Sequence, residues 1–350
     1  MQAQAYFLVA PAKPLEMRPL TLPEPAPDEV VVEVVSCGLC HTDLSYASGA
    51  VRPRHELPLV LGHEVTGRVV AAGEDYAGLV GEPVLVPAVL PCGDCAFCRG
   101  GRSNICPHQK MPGNDIHGGF ASHLLVPARF LVSLADTPPE IGLAAIAVVA
   151  DAVSTAYQAV RRSGLGAGDV AFVVGAGGVG SFVMQVARAM GARTVLADIR
   201  REQLDAAAAC GAERTYLLAG DRQVDRRALQ AMAREWGVPS LGWRVFECSG
   251  TAAGQALAFS LLGPAATLMV VGFTPDKLSL RLSNLMAFDA TVHGTWGCPP
   301  EAYPEVLELI YRGKVSLEPF IEHAPMSDLN RLLEEMAAHR LGRRMILHPA

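Results

Sequence analysis

Val170-Ala171-Phe172-Val173-Val174-Gly175-Ala176-Gly177-Gly178-Val179-Gly180 is the stretch whose reading decides the fold. Five apolar residues bounded by glycine have the length and composition of a buried strand, and the Phe, Val, Met and Ala spacing over residues 180–190 is that of a helix packed on a sheet. A Gly-x-Gly-x-x-Gly pattern carries meaning only in this context, between a strand and a helix. Gly175 permits the tight turn, Gly177 lets backbone approach a pyrophosphate, and Gly180 lets helix and sheet pack closely, with Gly178 and Val179 completing the loop. Asp198 follows eighteen residues after Gly180, at the end of the next expected strand. A carboxylate there accepts hydrogen bonds from both adenosine ribose hydroxyls and repels a 2′-phosphate, which favours NAD over NADP. The competing reading of Asp198 is a solvated strand end or helix cap. Arg200 and Arg201 leave use of both cofactors open.

Outward from this turn the pattern alternates: helix 155–162, strands 170–174 and 194–197, helix 202–210, strand 244–247, helix 253–261 and strand 267–271. Such βαβ alternation implies a doubly wound parallel sheet, the Rossmann arrangement. Residues 1 to about 150 read differently, rich in Pro and Gly with β-branched runs at 30–35 and 64–70, as a mostly β domain with long functional loops. After about Thr295 Pro-punctuated helices return. The expected division is therefore a dinucleotide domain over 153–296 and a catalytic domain formed by 1–152 together with 297–350. Half of the 350 residues are hydrophobic, enough for two cores, and the net charge is -6 with no dense Lys/Arg block, which argues against nucleic acid. Residues 1–7 lack a basic n-region and apolar h-region, and the longest apolar stretch, 141–150, is about half a membrane span, so a cytoplasmic protein is expected.

Nine cysteines is an odd count, and four of them fall within fifteen residues as Cys92-x2-Cys95-x2-Cys98-x7-Cys106 on a Gly-rich loop. Two-residue spacers let successive thiolates curl onto one ion and the longer return closes a tetrahedron, which reads as a structural zinc. Four unpaired thiols, or an iron-sulfur cluster with its Cys-Pro ending displaced, are the alternatives. A second set is dispersed: Cys40 in Cys37-Gly38-Leu39-Cys40-His41-Thr42-Asp43, His63 and Glu64 in Leu61-Gly62-His63-Glu64, and Asp151. Cys40, His63 and Asp151 are able to supply three ligands and leave one position for substrate, as a catalytic zinc needs. Taken singly, they are equally a buried thiol, a core histidine and a helix N-cap.

The Cys-His-Thr-Asp segment, the Gly-His-Glu segment, the four-cysteine lobe and the Gly-rich turn occur in the order found in the zinc-containing medium-chain alcohol dehydrogenases, and the resemblance covers nearly the whole chain. It implies a GroES-like catalytic domain beside the Rossmann domain and a zinc-dependent, NAD-linked oxidation of an alcohol, with two zinc ions per chain. By resemblance Cys40, His63 and Asp151 hold the catalytic zinc, Glu64 is the acidic neighbour, and Thr42 is the hydroxyl that takes the substrate proton. The resemblance also places His41 and Arg344 near the pyrophosphate, and backbone at Val271 and Thr295 near the carboxamide. Asp151 stands where many members have Cys, and Ser45 stands where some end the proton relay with His, which leaves His41, another histidine or water as the exit.

Residues 110–114, 118–123, 148–153, 285–290 and 294–298 further resemble one branch of that family, the 6-hydroxycyclohex-1-ene-1-carbonyl-CoA dehydrogenases, which implies a cyclic β-hydroxyacyl-CoA as substrate. The shorter segment before His117 and the loop Val51-Arg52-Pro53-Arg54-His55 depart from that branch. The rival readings are a dehydrogenase of simple or polyol alcohols and a non-enzymatic NAD-binding protein of the same fold. A homodimer or tetramer is expected, with strands near 268–282 extending the sheet.

Overall fold

The β-branched run at residues 30–35 does form a strand, and its pairing sets up one half of the chemistry. The structure is a computed structural model and describes residues 1–349. In chain order the first elements are β1 (Gln2–Leu8), β2 (Glu16–Thr21), β3 (Glu29–Gly38), α1 (His41–Ser48), β4 (Leu59–Val60), β5 (Glu64–Ala72), β6 (Pro83–Val86), α2 (Ala96–Arg99), β7 (His123–Pro127), β8 (Val132–Ser133) and α3 (Ala152–Arg162). Strands β3 and β5 pair antiparallel with Val32 opposite Val69 and Gly38 opposite Glu64. Glycine is required at position 38 because a Cβ there would collide with the Glu64 carboxylate. The apolar stretch before α3 forms a fully buried 3-10 helix, Ala145–Ala150, which carries the chain to Asp151.

The second set comprises β9 (Val170–Val174), α4 (Gly180–Ala189), β10 (Arg193–Asp198), α5 (Arg201–Ala209), β11 (Arg214–Leu217), α6 (Arg222–Arg234), β12 (Arg244–Glu247), α7 (Ala252–Ser260), β13 (Thr267–Val270), α8 (Ser283–Phe288) and β14 (Thr291–Gly294). Its six strands lie in the order β11-β10-β9-β12-β13-β14, every pair parallel. The order reverses between β9 and β12, and in sheets of this kind ligands bind outside the carboxyl ends of the strands at that switch. Phe172, Val174, Val195, Val245 and Leu268 fill the core on one side, with Trp243 packed 4.9 Å from the Phe172 ring. Of the stretch 268–282, residues up to Val270 lie in β13, and residues 275–282 form no strand within the single chain. Pro275 interrupts the run, and Leu280 and Leu282 stay exposed with no partner strand.

The chain then adds α9 (Tyr303–Tyr311), β15 (Ile321–Pro325), α10 (Leu329–Ala337) and β16 (Arg344–His348). Strands β15 and β16 join the front sheet, whose order is β15-β16-β3-β5-β6-β8, with β7 pairing along β3. Two compact units result: residues Met1–Ser154, Gly297–Tyr311 and Ile321–Ala350 in one, and Thr155–Trp296 with Arg312–Phe320 in the other. Residues 312–320 go with the parallel sheet for a specific reason. The Gln185 side chain of α4 bonds both backbone groups of Ser316, at 2.7 and 3.1 Å, and Phe320 packs edge-on against Phe182. Among the described residues, no helix is long and apolar enough to cross a membrane.

Candidate functional site

Cys40 sits at the turn between β3 and α1, His63 just ahead of β5, and Asp151 just ahead of α3, so three separate elements deliver three donors to one point. Cys40 Sγ lies 3.5 Å from Asp151 Oδ2, and His63 Nε2 lies 3.7 Å from the same oxygen. Ligand bonds of about 2.0–2.3 Å at tetrahedral angles put neighbouring donor atoms about 3.3–3.8 Å apart, so the spacing fits one zinc ion. His63 is 1% exposed; its Nδ1 faces the Asp43 carboxylate, and its Nε2 makes no hydrogen bond within the protein. A buried imidazole left so costs stability that an ion at Nε2 would restore. The Asp151 carboxylate turns toward Cys40 and His63, and beside it the backbone N–H of Ala152 donates to Glu64 Oε1 at 3.1 Å.

Around these donors lies a buried charged frame. Asp43, fully buried, accepts the Cys40 N–H at 2.9 Å through Oδ2 and the Gly62 N–H at 3.0 Å through Oδ1, which also lies 3.4 Å from His63 Nδ1. It thereby fixes both the cysteine turn and the ring orientation, the role that carboxylates commonly take behind metal-binding histidines. The sequence reading assigned Asp43 no role, although an acid three residues after a helix start is the capping-box spacing. Glu64 Oε1 lies 3.3 Å from Arg344 Nη1, and burial pushes the Glu64 carboxyl up to about 7 against the pull of that guanidinium. Arg344, itself buried, also donates to the Leu39 carbonyl at 3.4 Å. Thr42 Oγ1 lies 3.7 Å from Cys40 Sγ. His41 is exposed as the first residue of α1, and Ser45 Oγ donates to the His41 carbonyl at 2.9 Å.

The four-cysteine lobe closes on itself. Neighbouring sulfurs are 3.5 to 3.9 Å apart, from Cys95 to Cys98 and Cys92 to Cys98 respectively, matching the spacing of about 3.8 Å that four zinc-sulfur bonds impose. Backbone N–H groups of Asp94 and His108 donate to Cys92 and Cys106 at 3.5 and 3.3 Å, as thiolates require. The Asp94 amide is the first cause, with that of Cys95, of a Cys92 pKa brought down to about 6. Arg129 ties the loop down through the Cys92 carbonyl, and Ser103 Oγ donates to Glu301 at 2.6 Å.

In the other unit Gly175 has φ +98°, and a Cβ there would meet the Ser249 backbone at under 3 Å. A Cβ on Gly180 would collide with the Gly175 carbonyl, whereas the space over Gly177 is open, as backbone contact with a phosphate requires. Asp198 ends β10 and accepts the Ala176 N–H at 2.6 Å and the Arg200 N–H at 2.9 Å, joining the glycine turn to the start of α5. The cap position of α5 belongs to Arg200. Val271 and Thr295 follow adjacent strands, with their N–H groups bonded to Glu247 and Val270 carbonyls, and the Thr295 hydroxyl is buried without a partner. Glu247 is a further residue that the sequence reading passed over. Its carboxylate gathers the Ser249 and Gly250 N–H groups and the Ser249 hydroxyl at 2.6–3.1 Å, shaping the wall against which Gly175 turns. An acid closing an apolar strand is the signal that would have found it.

Residues 26–136 match the family of alcohol dehydrogenase GroES-like domains, and residues 178–312 match the zinc-binding dehydrogenase family. The chain is 30% identical over 341 residues to an alcohol dehydrogenase of Rhizobium meliloti, covering 96% of this chain and 95% of that one. It is 30% identical over 333 residues to an L-threonine 3-dehydrogenase of Pyrococcus abyssi, covering 91% and 90%. Among solved structures, an acetophenone reductase from Geotrichum candidum in complex with NAD superposes with a TM-score of 0.85 at 25% identity, covering 99% of this chain and 97% of that one. A GroES-like unit with two tetrahedral donor sets, a parallel sheet opened by a glycine turn, and these relatives lead to one statement: the chain belongs to the zinc-containing medium-chain alcohol dehydrogenase family and is an oxidoreductase acting on CH-OH groups.

Proposed function

We propose that this protein oxidises a secondary hydroxyl group with NAD, using a zinc ion held by Cys40, His63 and Asp151 and a second, structural zinc held by Cys92, Cys95, Cys98 and Cys106. The observation that carries the reading is the convergence of Cys40, His63 and Asp151 at tetrahedral spacing, with Asp151 still 21% exposed so that a substrate reaches the site. A zinc ion at these donors would supply acidity to a substrate hydroxyl, and a bound nicotinamide would supply the hydride acceptor. Thr42 receives the hydroxyl proton while releasing its own. Ser45 is spent on the His41 carbonyl, so the exposed His41 is the exit to solvent. Asp43 holds the His63 ring, and the Glu64–Arg344 pair places compensated charge behind the donors. In this reading the unit of residues 1–154, 297–311 and 321–349 does the metal chemistry, and the unit of residues 155–296 with 312–320 binds the dinucleotide through Gly175, Gly177, Gly178, Val179, Gly180 and Asp198. Val271 and Thr295 meet the carboxamide, and Arg344 and His41 serve the pyrophosphate. Nine free cysteines suit a reducing cytoplasm. Leu282, Met286 and Val292, exposed beside the edge strand β14, support a homo-oligomer.

For the substrate, the reading is a cyclic β-hydroxyacyl-CoA such as 6-hydroxycyclohex-1-ene-1-carbonyl-CoA, oxidised to the β-oxo ester. It rests on the resemblance of residues 110–114, 118–123, 148–153, 285–290 and 294–298 to that branch, with Arg52 exposed to meet a CoA phosphate. Arg54, in the same loop, lies 3.4 Å from Asp115. This pairing, with relatives named for alcohols and threonine, favours as second reading a free secondary or polyol alcohol. Steady-state kinetics of the zinc-loaded chain with NAD decide between them, on the CoA thioester, its free acid and a panel of cyclic and polyol alcohols. Higher kcat/KM on the thioester supports the first reading, and equal or higher values on substrates lacking CoA overturn it.

A further inference from the structure

Two of the three donors at the candidate metal site are fixed through Asp43, which holds the Cys40 turn and faces the His63 ring. Asp151 needs a fixture of its own. It falls between the 3-10 helix Ala145–Ala150 and α3, and its backbone, with φ -134° and ψ -63°, belongs to neither. Helical geometry on either side therefore does not set the direction of its carboxylate. The peptide that follows Asp151 is held by Glu64, whose Oε1 accepts the Ala152 N–H at 3.1 Å. The peptide that precedes it is held from a point 153 residues further along the chain, where Tyr303, first residue of α9, donates its hydroxyl to the Ala150 carbonyl at 2.5 Å. Ala88 donates its N–H to the same carbonyl at 3.3 Å. Ser154 Oγ lies 3.3 Å from the Ala150 carbonyl, 3.2 Å from that of Asp151 and 3.3 Å from the Tyr303 hydroxyl. A serine has one proton to share among these acceptors, so the short tyrosine bond is the main tie on the Ala150 carbonyl. Tyr303 is 1% exposed. A phenylalanine fills the same space, so packing alone asks for the ring and not for the hydroxyl.

We propose that Tyr303 is a positioning residue for the metal centre: through the Ala150 carbonyl it sets the peptide that aims the Asp151 carboxylate at the point where Cys40 and His63 meet. The inference rests on the reading of Asp151 as a metal donor. The Tyr303 hydroxyl is spent on backbone, so it acts on an ion only through Asp151. Ties of this kind behind a donor are worth about 10–100-fold in metal affinity.

The test is Tyr303→Phe in the full chain, loaded with zinc at the four-cysteine lobe and with Co2+ at Cys40, His63 and Asp151. Chelator competition reads the Co2+ affinity, and the visible d–d bands read the geometry of the donors. The variant should hold Co2+ about 10–100-fold more weakly, with shifted bands, while the lobe keeps its zinc. Ser154→Ala, which leaves the tyrosine bond to Ala150 in place, should stay within about threefold of wild type. Wild-type Co2+ affinity with an unshifted spectrum in Tyr303→Phe would overturn the inference. So would a parallel loss of the lobe zinc, which marks a purely structural role, or an equal loss of Co2+ in Ser154→Ala. Asp151→Ala separates the two claims. If it keeps wild-type Co2+ affinity, the donor assignment fails; if it loses Co2+ where Tyr303→Phe does not, only the role of Tyr303 fails.

Discussion

Asp43→Asn is an isosteric change whose cost follows from the hydrogen bonds at one buried side chain. Each carboxylate oxygen of Asp43 accepts a different backbone N–H, from Cys40 at 2.9 Å and from Gly62 at 3.0 Å. An asparagine has one carbonyl oxygen, so whichever way the amide turns, its NH2 group faces a backbone N–H. One buried donor is left unsatisfied, at a cost of about 1–3 kcal/mol. The same change removes the negative charge 3.4 Å from His63 Nδ1. Loss of such a partner behind a metal-binding histidine lowers metal affinity by about 10–100-fold. Denaturant unfolding of the metal-free chain reads the first effect, and competition for zinc with a graded chelator series reads the second. Both the unfolding midpoint and zinc retention should fall, with loss of zinc confined to one of two ions. A variant that unfolds at the wild-type midpoint and holds both ions as tightly as wild type would refute the role given to Asp43.

Asp198→Ala should lower kcat/KM with NAD by about 30-fold or more, as charge-assisted ribose bonds are lost, and change NADP use much less. A wild type that prefers NADP would contradict the assignment. Cys95→Ser should lower the thermal midpoint and the zinc content by one ion per chain, with kcat of the surviving folded fraction near wild type, and an unaltered zinc count would refute it. A pH effect arises at His323 and His348, whose rings stack 5.1 Å apart with Nδ1 and Nε2 2.8 Å from each other. Burial, then the His323 charge, hold the His348 pKa below its ordinary 6.5. The folded state therefore prefers neutral His348, so this contribution to stability is present above pH 6.5 and is lost as pH falls through that value. Melting curves between pH 8 and 5 should show a decline that His323→Gln reduces, and identical declines in both proteins would argue against it.

The features legible in the sequence were those whose meaning is local. The four cysteines are close enough along the chain to read as one lobe, and the glycine turn carries its own strand and helix. The Cys40 and Asp151 donors are 111 residues apart, so only the fold brings them together, and a family resemblance had to stand in for that information. Asp43 and Glu247 escaped notice because their bonds go mainly to backbone N–H groups, which leave no pattern of residue types to read. Helix α6 escaped too, since its exposed face is crowded with arginine and its buried face is limited to Asp225, Leu229 and Ala233.

The most direct test is zinc stoichiometry measured together with NAD-dependent turnover in wild type and in Asp151→Ala. Two zinc ions per chain are predicted for fully active wild type. The variant should keep the ion of the four-cysteine lobe and near-normal stability, bind the second ion weakly or not at all, and lose turnover. Wild-type protein that is fully active with one zinc or none, or an Asp151→Ala protein that retains two ions and full activity, would contradict a catalytic metal held by Cys40, His63 and Asp151.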